Sequence, residues 1–294
     1  MIAIDWGTSS LRAWRLEAAS GRVLDQRRSA LGILACDGRF EAVLADQVAG
    51  WDDPVLLLGG MIGSRQGWRE APYVPCPATP AAIAAALMPV DAPSLPGRRI
   101  RIVPGLQTRD ADGVADVMRG EETQLCGLID ELGAGTHVAC LPGTHSKWAS
   151  IVDGRIETFR TAMTGEVYHA LRTHTILGRL MPAGVGGEGA FHVDAFERGL
   201  TRSGRPGGLL HHAFGVRTEG LTGSLNADQL ADYLSGILVG HELRELAPTE
   251  GPVHLIGRDA LNARYGHALR IRGCRPILHG EDLGAVGLWR LAQA

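Results

Sequence analysis

Short apolar runs alternate with polar residues near the start of the chain, which predicts β-strands. Residues 2–28 contain three such runs, separated by turns at residues 7–10 and 19–21. We therefore expect three antiparallel strands there. A continuous apolar run at residues 54–58 predicts a buried strand that ends in the glycine-rich stretch 59–65.

Helical spacing becomes clear from residue 121 onwards. Four apolar residues fall at i, i+3, i+4 and i+7, on one face of a helix, namely Leu125, Leu128, Ile129 and Leu132. Between a predicted strand at residues 99–103 and this helix lies a polar stretch, residues 107–119, which we expect to be a loop. The glycines at residues 133–135 end the helix and mark a candidate domain boundary.

The pattern of the first strands recurs in the second half of the chain. A strand at residues 137–141 leads into Gly143 and Thr144, which correspond to Gly7 and Thr8 at an offset of 136 (143 − 7). The next turn, residues 153–154, corresponds to residues 20–21 at an offset of 133 (153 − 20). A repeat this long predicts two similar domains. We place them at residues 1–135 and 136–294.

Composition narrows the class of protein. With 45% hydrophobic and 21% charged residues, the chain is expected to be globular, and its net charge of −3 offers no broad attraction for nucleic acid or for an anionic membrane. Five cysteines without CxxC spacing indicate reduced thiols in a cytoplasmic protein. Neither a signal peptide nor a membrane-spanning segment is predicted.

The two repeated turns are candidate phosphate sites. Gly7, Thr8 and Ser9 in the first copy, and Gly143 and Thr144 in the second, offer backbone N–H groups and hydroxyls to an anion. An ordinary polar hairpin turn is the alternative for either copy alone, but their repetition favours a pair of turns that grip one polyphosphate.

The copies differ at one position, because Asp5 corresponds to Leu141. A purely structural turn gives no reason for a charge at the end of one strand only. A carboxylate beside phosphates is expected to orient Mg²⁺, directly or through its waters. Asp5 is therefore the predicted magnesium residue.

Three acidic residues are candidates for a general base. Transfer of a phosphoryl group to an alcohol usually needs a carboxylate to accept the hydroxyl proton. Asp116, Glu121 and Glu122 lie where the polar stretch enters the helix. Acids are also common in a first helical turn for reasons of the helix dipole, so a structural role stays open for each.

Two glycine-rich strand ends are further candidate binding positions. Residues 59–65 follow a buried strand, and the glycines there let a ligand approach the backbone closely. Gly257 follows a second predicted strand and precedes a helix whose N-terminus could face a nucleotide. A plain turn is the alternative at both positions.

These motifs together resemble the sugar kinase, heat-shock protein and actin ATPase superfamily, and more narrowly the 2-dehydro-3-deoxygalactonokinase family. The matching segments are residues 4–13, 59–64, 118–124, 141–148 and 163–166, with weaker matches at residues 234–242 and around Gly257. The resemblance runs essentially from end to end. It implies an α/β fold of two ribonuclease-H-like (actin/hexokinase-type) domains with an interdomain active-site cleft.

The implied reaction is ATP-dependent phosphorylation of 2-dehydro-3-deoxy-D-galactonate at its 6-hydroxyl group. The resemblance implies ATP and Mg²⁺ as cofactors, Thr8, Ser9, Gly143 and Thr144 as phosphate contacts, and Gly257 near adenosine. Arg258 stands where many superfamily members have a second glycine, so the adenosine contacts stay open.

The resemblance also suggests how the remaining candidates divide between catalysis and substrate binding. The sequence around Glu121 resembles the Gly-Glu-Glu element of exopolyphosphatases, which favours Glu121 over Asp116 as the base. Arg65, or the backbone of Gly60 and Met61 with Ser64 beside them, is expected to bind the substrate carboxylate. These last four residues form the predicted sugar-acid site.

Two other functions remain as alternatives, namely an exopolyphosphatase-like phosphohydrolase and a non-catalytic nucleotide sensor. A phosphohydrolase would need a long basic channel, which no segment rich in Lys or Arg marks. A sensor would be expected to lack Asp5 or the acidic stretch. The preference between galactonate and gluconate epimers and the choice between monomer and homodimer stay open.

Overall fold

Strands and helices alternate along the computed structural model, which describes residues 1–182, 191–248, 251–280 and 282–294. The strands are β1 (Ile2–Trp6), β2 (Leu11–Leu16), β3 (Val23–Ser29), β4 (Val55–Gly59), β5 (Tyr73–Pro75), β6 (Met88–Val90), β7 (Arg99–Ile102), β8 (Gly105–Arg109), β9 (Ala115–Met118), β10 (Thr136–Leu141), β11 (Ser146–Val152), β12 (Arg155–Ala162), β13 (Gly251–Ile256) and β14 (Cys274–His279). The helices are α1 (Phe40–Gln47), α2 (Pro80–Ala85), α3 (Glu121–Ile129), α4 (Thr164–His174), α5 (Val193–Ser203), α6 (Gly208–Leu221), α7 (Leu230–Leu246), α8 (Asp259–Ile271) and α9 (Leu283–Gln293).

The first sheet confirms the three antiparallel strands predicted at the start of the chain. Its strand order is β3-β2-β1-β4-β7-β6. β1 pairs antiparallel with β2 and parallel with β4, and β4 pairs parallel with β7. The parallel strand β4 is apolar because it is covered on both faces, as the continuous run at residues 54–58 predicts.

A second sheet repeats this order in the second half of the chain. Its strands lie in the order β12-β11-β10-β13-β14, and β13 pairs parallel with both β10 and β14. Across each sheet, the third, second and first strands of that half lie side by side, and two further strands parallel to the first come next. This shared order confirms the structural repeat that the two Gly-Thr turns predict.

The polar stretch at residues 107–119 is a β-hairpin, so the prediction of a loop there is wrong. β8 and β9 pair antiparallel, with Thr108 opposite Asp116, and β5 completes a three-stranded sheet. Only Gly105, Leu106 and Met118 of its two strands are buried, so the hairpin has no regular apolar alternation to indicate strands. The turn is closed by Asp110, whose Oδ1 accepts hydrogen bonds from the backbone N–H groups of Asp112 and Val114.

Two compact units divide the described residues. Unit 1 contains residues 1–137, 149–159 and 280–294, and unit 2 contains residues 138–148 and 160–279. The sequence prediction instead divides the chain once, between residues 135 and 136. The C-terminal residues fall in unit 1 because α9 packs against α3, β1 and β4.

Each unit has its own apolar core. In unit 1, side chains of β1 and β4 pack with those of α1 around the fully buried Trp6 and Leu44. In unit 2, one cluster surrounds Trp148 and Phe196 and another surrounds Leu234. No helix of the described chain is long and apolar enough to cross a membrane.

Candidate active site

Asp5 lies at the carboxyl end of β1, where it forms an ion pair. Its Oδ2 is 2.7 Å from Nη2 of Arg12, the residue directly opposite it on β2. Both side chains are largely buried. This cross-strand pair is a structural reason for the charge, which the sequence argument did not foresee. In the second copy both members are apolar, since Leu141 replaces Asp5 and Trp148 replaces Arg12 at the same offset of 136 (148 − 12).

The first turn, residues 7–10, presents hydroxyls to solvent. Its carbonyl groups are engaged, because Ser10 O accepts from Gly7 N at 2.9 Å and Gly7 O accepts from Ile33 N at 3.0 Å. The side chains of Thr8 and Ser9 are exposed. The turn is thus held by a hydrogen bond within it and by one from Ile33, and its polar side chains are accessible to a ligand.

Gly60 directly follows β4 and packs against the end of β1. It has φ 90°, a backbone conformation that favours glycine. A Cβ at this position would lie 2.8 Å from Trp6 O and 3.0 Å from Asp5 Oδ1. The structure therefore brings the predicted sugar-acid loop into contact with the predicted magnesium residue.

The start of α3 lies beside the same glycine. A Cβ on Gly120 would be 3.3 Å from the Cα atom of Gly60. Glu121 is partly buried, and its Oε2 accepts a hydrogen bond of 3.1 Å from Arg119 N. Asp5, Gly60 and the segment that carries Glu121 are thus neighbours within unit 1.

Glu122 is fully buried, unlike Glu121. Its Oε2 accepts a hydrogen bond of 2.6 Å from Gly120 N. Burial, together with the neighbouring charge of Glu121, raises the pKa of Glu122 to about 8. The sequence pairs two acids, but only the structure shows that their environments differ.

Buried polar atoms without a protein partner are concentrated around this junction. Among the described residues they include Ser64 Oγ, Nε and Nη1 of Arg119, and Glu122 Oε1. Arg119 also donates from Nη2 to Ala71 O at 2.8 Å and lies over the ring of Tyr73. Such a concentration is typical of a functional site, because buried polar groups are normally satisfied. The sequence motifs did not single out Arg119, although it lies immediately before the Gly-Glu-Glu element.

Two other predicted site residues, Arg65 and Asp116, differ in their exposure. Arg65 is 87% exposed and 3.5 Å from Glu70, which is also exposed. Asp116 lies on β9, where its Oδ1 accepts a hydrogen bond from Val117 N. Arg65 is therefore far more exposed than Glu121, whereas Asp116 is partly buried, as Glu121 is.

The second turn packs against the start of α4. Thr144 O accepts a hydrogen bond of 3.0 Å from Glu166 N, and a Cβ on Gly165 would come within 2.4 Å of Gly143 O. Thr144 is exposed, and a Cβ on Gly143 would meet only open space. The backbone of this turn is therefore fixed on one side and open on the other.

Gly257 lies next to the second turn, within unit 2. A Cβ at this glycine would be 3.5 Å from the carbonyl oxygen of Pro142, and Asn262 Nδ2 donates to Gly257 O at 2.9 Å. The following helix, α8, begins at Asp259. The structure thus places the predicted adenosine segment beside the predicted phosphate turn.

The donor set fits a magnesium ion held mainly by substrate oxygens and water. No group of three or more His, Cys, Asp or Glu side chains in the described residues could hold a metal ion. Mg²⁺ usually takes only one or two protein carboxylates together with phosphates and waters. Oδ2 of Asp5 is paired with Arg12, so a metal ion would bind this carboxylate through Oδ1, the oxygen beside Gly60, or through water.

Comparison with known proteins identifies the family. The 2-keto-3-deoxy-galactonokinase profile matches residues 5–291. A protein of Rhizobium meliloti (strain 1021) named probable 2-dehydro-3-deoxygalactonokinase is 41% identical over 92% of this chain and 89% of its own. The chain belongs to the 2-keto-3-deoxy-galactonokinase family. The 2-dehydro-3-deoxygalactonokinase of Escherichia coli (strain K12) is a second relative of this family, 36% identical over 100% of this chain and 97% of its own.

A solved structure agrees with this assignment to the 2-keto-3-deoxy-galactonokinase family. A Sinorhizobium meliloti crystal structure assigned by its name to the 2-dehydro-3-deoxygalactonokinases matches with a TM-score of 0.87 and 37% identity, over 99% of this chain and 98% of that one. The activator of the 2-hydroxyisocaproyl-CoA dehydratase from Clostridium difficile, with bound ADPNP, matches at a TM-score of 0.51 and 12% identity, over 100% and 94% of the two chains. This second likeness concerns the fold alone. The two-domain α/β kinase fold expected from the sequence is thereby confirmed.

Proposed function

We propose that this protein transfers the γ-phosphoryl group of ATP to the 6-hydroxyl group of 2-dehydro-3-deoxy-D-galactonate. The products are ADP and 2-dehydro-3-deoxy-6-phosphogalactonate. The observation that carries the proposal is the family match over residues 5–291, together with two relatives of that name that align with nearly the whole chain. The phosphohydrolase and sensor alternatives have no comparable support.

ATP is proposed to bind through the two repeated turns and the segment at Gly257. The hydroxyls of Thr8 and Ser9 are exposed in the first turn, and Thr144 is exposed beside the open face of Gly143 in the second. Hydroxyl and N–H donors held in place before the reaction stabilise phosphate charge without reorganising. The contact between Gly257 and Pro142 supports a neighbouring position for adenosine.

Glu121 is proposed as the general base. It stands at the first residue of α3, partly buried and held by Arg119 N, beside the glycine that contacts Asp5. Its carboxylate would accept the proton of the 6-hydroxyl group as that oxygen attacks the γ-phosphorus and the bond to the ADP oxygen breaks. Asp116 is the alternative base.

Asp5 is proposed to hold Mg²⁺, directly or through water. When bound, the ion would offset the negative charge of the phosphate oxygens. Arg12 keeps the carboxylate oriented at the end of β1, so the ion pair and the proposed metal role are compatible. The residues of this chain supply the orientation, while ATP and water supply the other ligands of the ion.

The sugar acid is proposed to bind at Gly60, Met61, Ser64 and Arg65. The buried Ser64 hydroxyl without a protein partner supports a ligand at this loop. If Arg65 binds the carboxylate, the Arg65→Ala variant will raise KM for the sugar acid about tenfold or more, since a charge-assisted contact is lost. An unchanged KM would remove Arg65 from the site and leave the backbone and Ser64.

Release of ADP tests the proposed function. The purified protein is given ATP and Mg²⁺ with one sugar acid at a time, including the galactonate and gluconate epimers of the 2-dehydro-3-deoxy acid. We expect ADP release that depends strongly on the galactonate form. Equal release without any acid would indicate a phosphohydrolase, and nucleotide binding without release would indicate a sensor.

We further propose that the protein acts in the cytoplasm, where galactonate catabolism would supply its substrate. All five cysteines are unpaired, as is usual in a reducing compartment.

A further inference from the structure

A buried carboxylate in unit 2 gathers hydrogen bonds from three separate elements. Glu242, on α7, is only 6% exposed. Its Oε1 accepts a hydrogen bond of 2.7 Å from Trp148 Nε1, and its Oε2 accepts one of 2.7 Å from the Tyr265 hydroxyl. Oε2 also accepts a hydrogen bond from the hydroxyl of Thr164. These donors lie on β11, α8 and α4, so one side chain connects four elements.

The chemistry of this cluster requires an acceptor at its centre. An ionised carboxylate accepts hydrogen bonds and donates none, so it satisfies an indole N–H and two hydroxyls together. Burial raises the pKa of Glu242, while the hydrogen bonds from Thr164, Tyr265 and Trp148 act in the opposite direction. Any replacement without two acceptor oxygens leaves at least one buried donor to reorient or stay unsatisfied.

Two of the connected elements border the second turn. Ser146 is the first residue of β11, and its hydroxyl lies 3.0 Å from that of Tyr265. On the other side, Thr164 opens α4 and is followed by Gly165, which packs directly on Gly143. The backbone N–H of Glu166 then donates to Thr144 O. The buried cluster thus fixes the chain just after the turn and also the helix start on which the turn rests.

We propose that Glu242 is a positioning residue for the second phosphate turn. It acts through Thr164 and Trp148, which hold Gly143 and Thr144 in the conformation that receives a phosphate of ATP. The inference rests on the proposed role of that turn. Glu242 itself is enclosed by protein and does not touch the nucleotide, so its effect falls on affinity for ATP rather than on the sugar acid.

The consequence of disturbing this cluster follows from the need for preorganisation. A phosphate site built from backbone and hydroxyl donors works only if those donors are already in place. α4 would shift at its first turn once Thr164 lost its bond to Glu242. Gly165 would carry the shift to Gly143, because there is no space between their backbones.

Four variants test the inference. Glu242→Gln and Thr164→Val disturb the cluster, Thr164→Ser retains the hydroxyl, and Glu245→Gln changes an exposed carboxylate on the same helix. We expect the first two to raise both KM for ATP and Kd for Mg²⁺-AMPPNP about fivefold or more, with KM for the sugar acid within about twofold of wild type. Thr164→Ser and Glu245→Gln should match wild type in all three constants.

The outcomes separate a positioning role from general destabilisation. Equal increases in KM for both substrates, or an unchanged Kd for Mg²⁺-AMPPNP in Glu242→Gln and Thr164→Val, would overturn the inference. If wild type binds Mg²⁺-AMPPNP but phosphorylates no sugar acid, the proposed function fails, while the comparison of Kd values still decides the role of Glu242. If wild type binds no nucleotide, the inference fails together with the role of the turn.

Discussion

At the scale of single residues, two adjacent acids at the start of α3 have different environments. Glu121 is partly buried and held by Arg119 N, whereas Glu122 is fully buried and has its pKa raised to about 8. Glu121 rather than Glu122 is the proposed base, because a base must reach the substrate and Glu122 is enclosed by protein.

Glu121→Gln tests the proposed base. The amide keeps the size and the hydrogen bond to Arg119 N but cannot accept a proton. Turnover should fall by about two orders of magnitude or more, because a positioned base contributes that much to such reactions. Kd for Mg²⁺-AMPPNP should stay near wild type. Turnover close to wild type would transfer the role to Asp116, whose amide variant is the matched comparison.

The raised pKa of Glu122 predicts that the free energy of unfolding depends on pH. The pKa of this acid is higher in the folded protein than in the unfolded chain, so the folded protein binds the proton more tightly. The associated stability is fully present below the ordinary pKa of 4.5 and is lost as the pH rises through about 8. Between pH 6 and pH 8 this loss should be roughly 2 to 3 kcal/mol, at about 1.4 kcal/mol for each pH unit.

Unfolding by urea at several pH values measures this effect. The Glu122→Gln variant, which is neutral at every pH, should lose much less stability than wild type over that range. Glu131→Gln, a change at an exposed acid just beyond α3, should follow wild type. Parallel profiles for wild type and Glu122→Gln would show that Glu122 is not protonated as its burial implies.

At the scale of elements, the ends of β1 and β4 and the start of α3 meet at Gly60. The strands themselves were predictable from apolar runs, and the repeat was predictable from the two Gly-Thr turns. The ion pair between Asp5 and Arg12 was overlooked, although a turn at residues 7–10 already places these two residues opposite each other. The hairpin of β8 and β9 was missed because its exposed polar side chains carry no alternation.

The other features that could not be predicted from the sequence depend on burial by residues distant along the chain. Glu122 and Arg119 stand in the recognised Gly-Glu-Glu segment, but burial by distant residues is what alters their chemistry. The Glu242 cluster joins residues as far apart in sequence as Trp148 and Glu242.

Gly60→Ala tests the junction of these elements. Gly60 has φ 90°, and an added Cβ would crowd Trp6 O and Asp5 Oδ1. We expect a loss of about 2 kcal/mol or more in the free energy of unfolding, from backbone strain and crowding together. kcat/KM should also fall under conditions in which the variant is still fully folded, since the added Cβ displaces Asp5.

Gly97→Ala is the matched control for that change. Gly97 also has positive φ, at 77°, but an added Cβ would meet no atom within 4 Å. Its variant therefore isolates the backbone cost and should keep full kcat/KM. If Gly60→Ala reduced the free energy of unfolding and kcat/KM no more than Gly97→Ala does, close packing at Gly60 would be contradicted.

At the scale of the whole molecule, the chain returns to its first unit at its C-terminus. α9 packs on α3, β1 and β4, so the last residues complete the core of unit 1. A single boundary placed from the repeat could not anticipate this return, because the repeat marks where each sheet begins and not where the chain ends. The site residues of unit 1 therefore depend on a helix distant from them in sequence.

Leu288→Ala and Leu269→Ala compare the two units. Both leucines are fully buried, the first on α9 in unit 1 and the second on α8 in unit 2. Each truncation should cost roughly 2 to 5 kcal/mol, the range for large-to-small core changes. Hydrogen exchange should show lost protection in β1, β4 and α3 for Leu288→Ala, and in β13 and α8 for Leu269→Ala. The same exchange pattern in both variants would argue against separate units.

The central claim is transfer of phosphate from ATP to the sugar acid, and the fate of the γ-phosphorus tests it most directly. The protein is given γ-labelled ATP, Mg²⁺ and 2-dehydro-3-deoxy-D-galactonate, and the label is followed into the products. We predict that it appears on the 6-oxygen of the sugar acid in an amount equal to the ADP released. Label found in inorganic phosphate, at a rate unaffected by the sugar acid, would contradict the account.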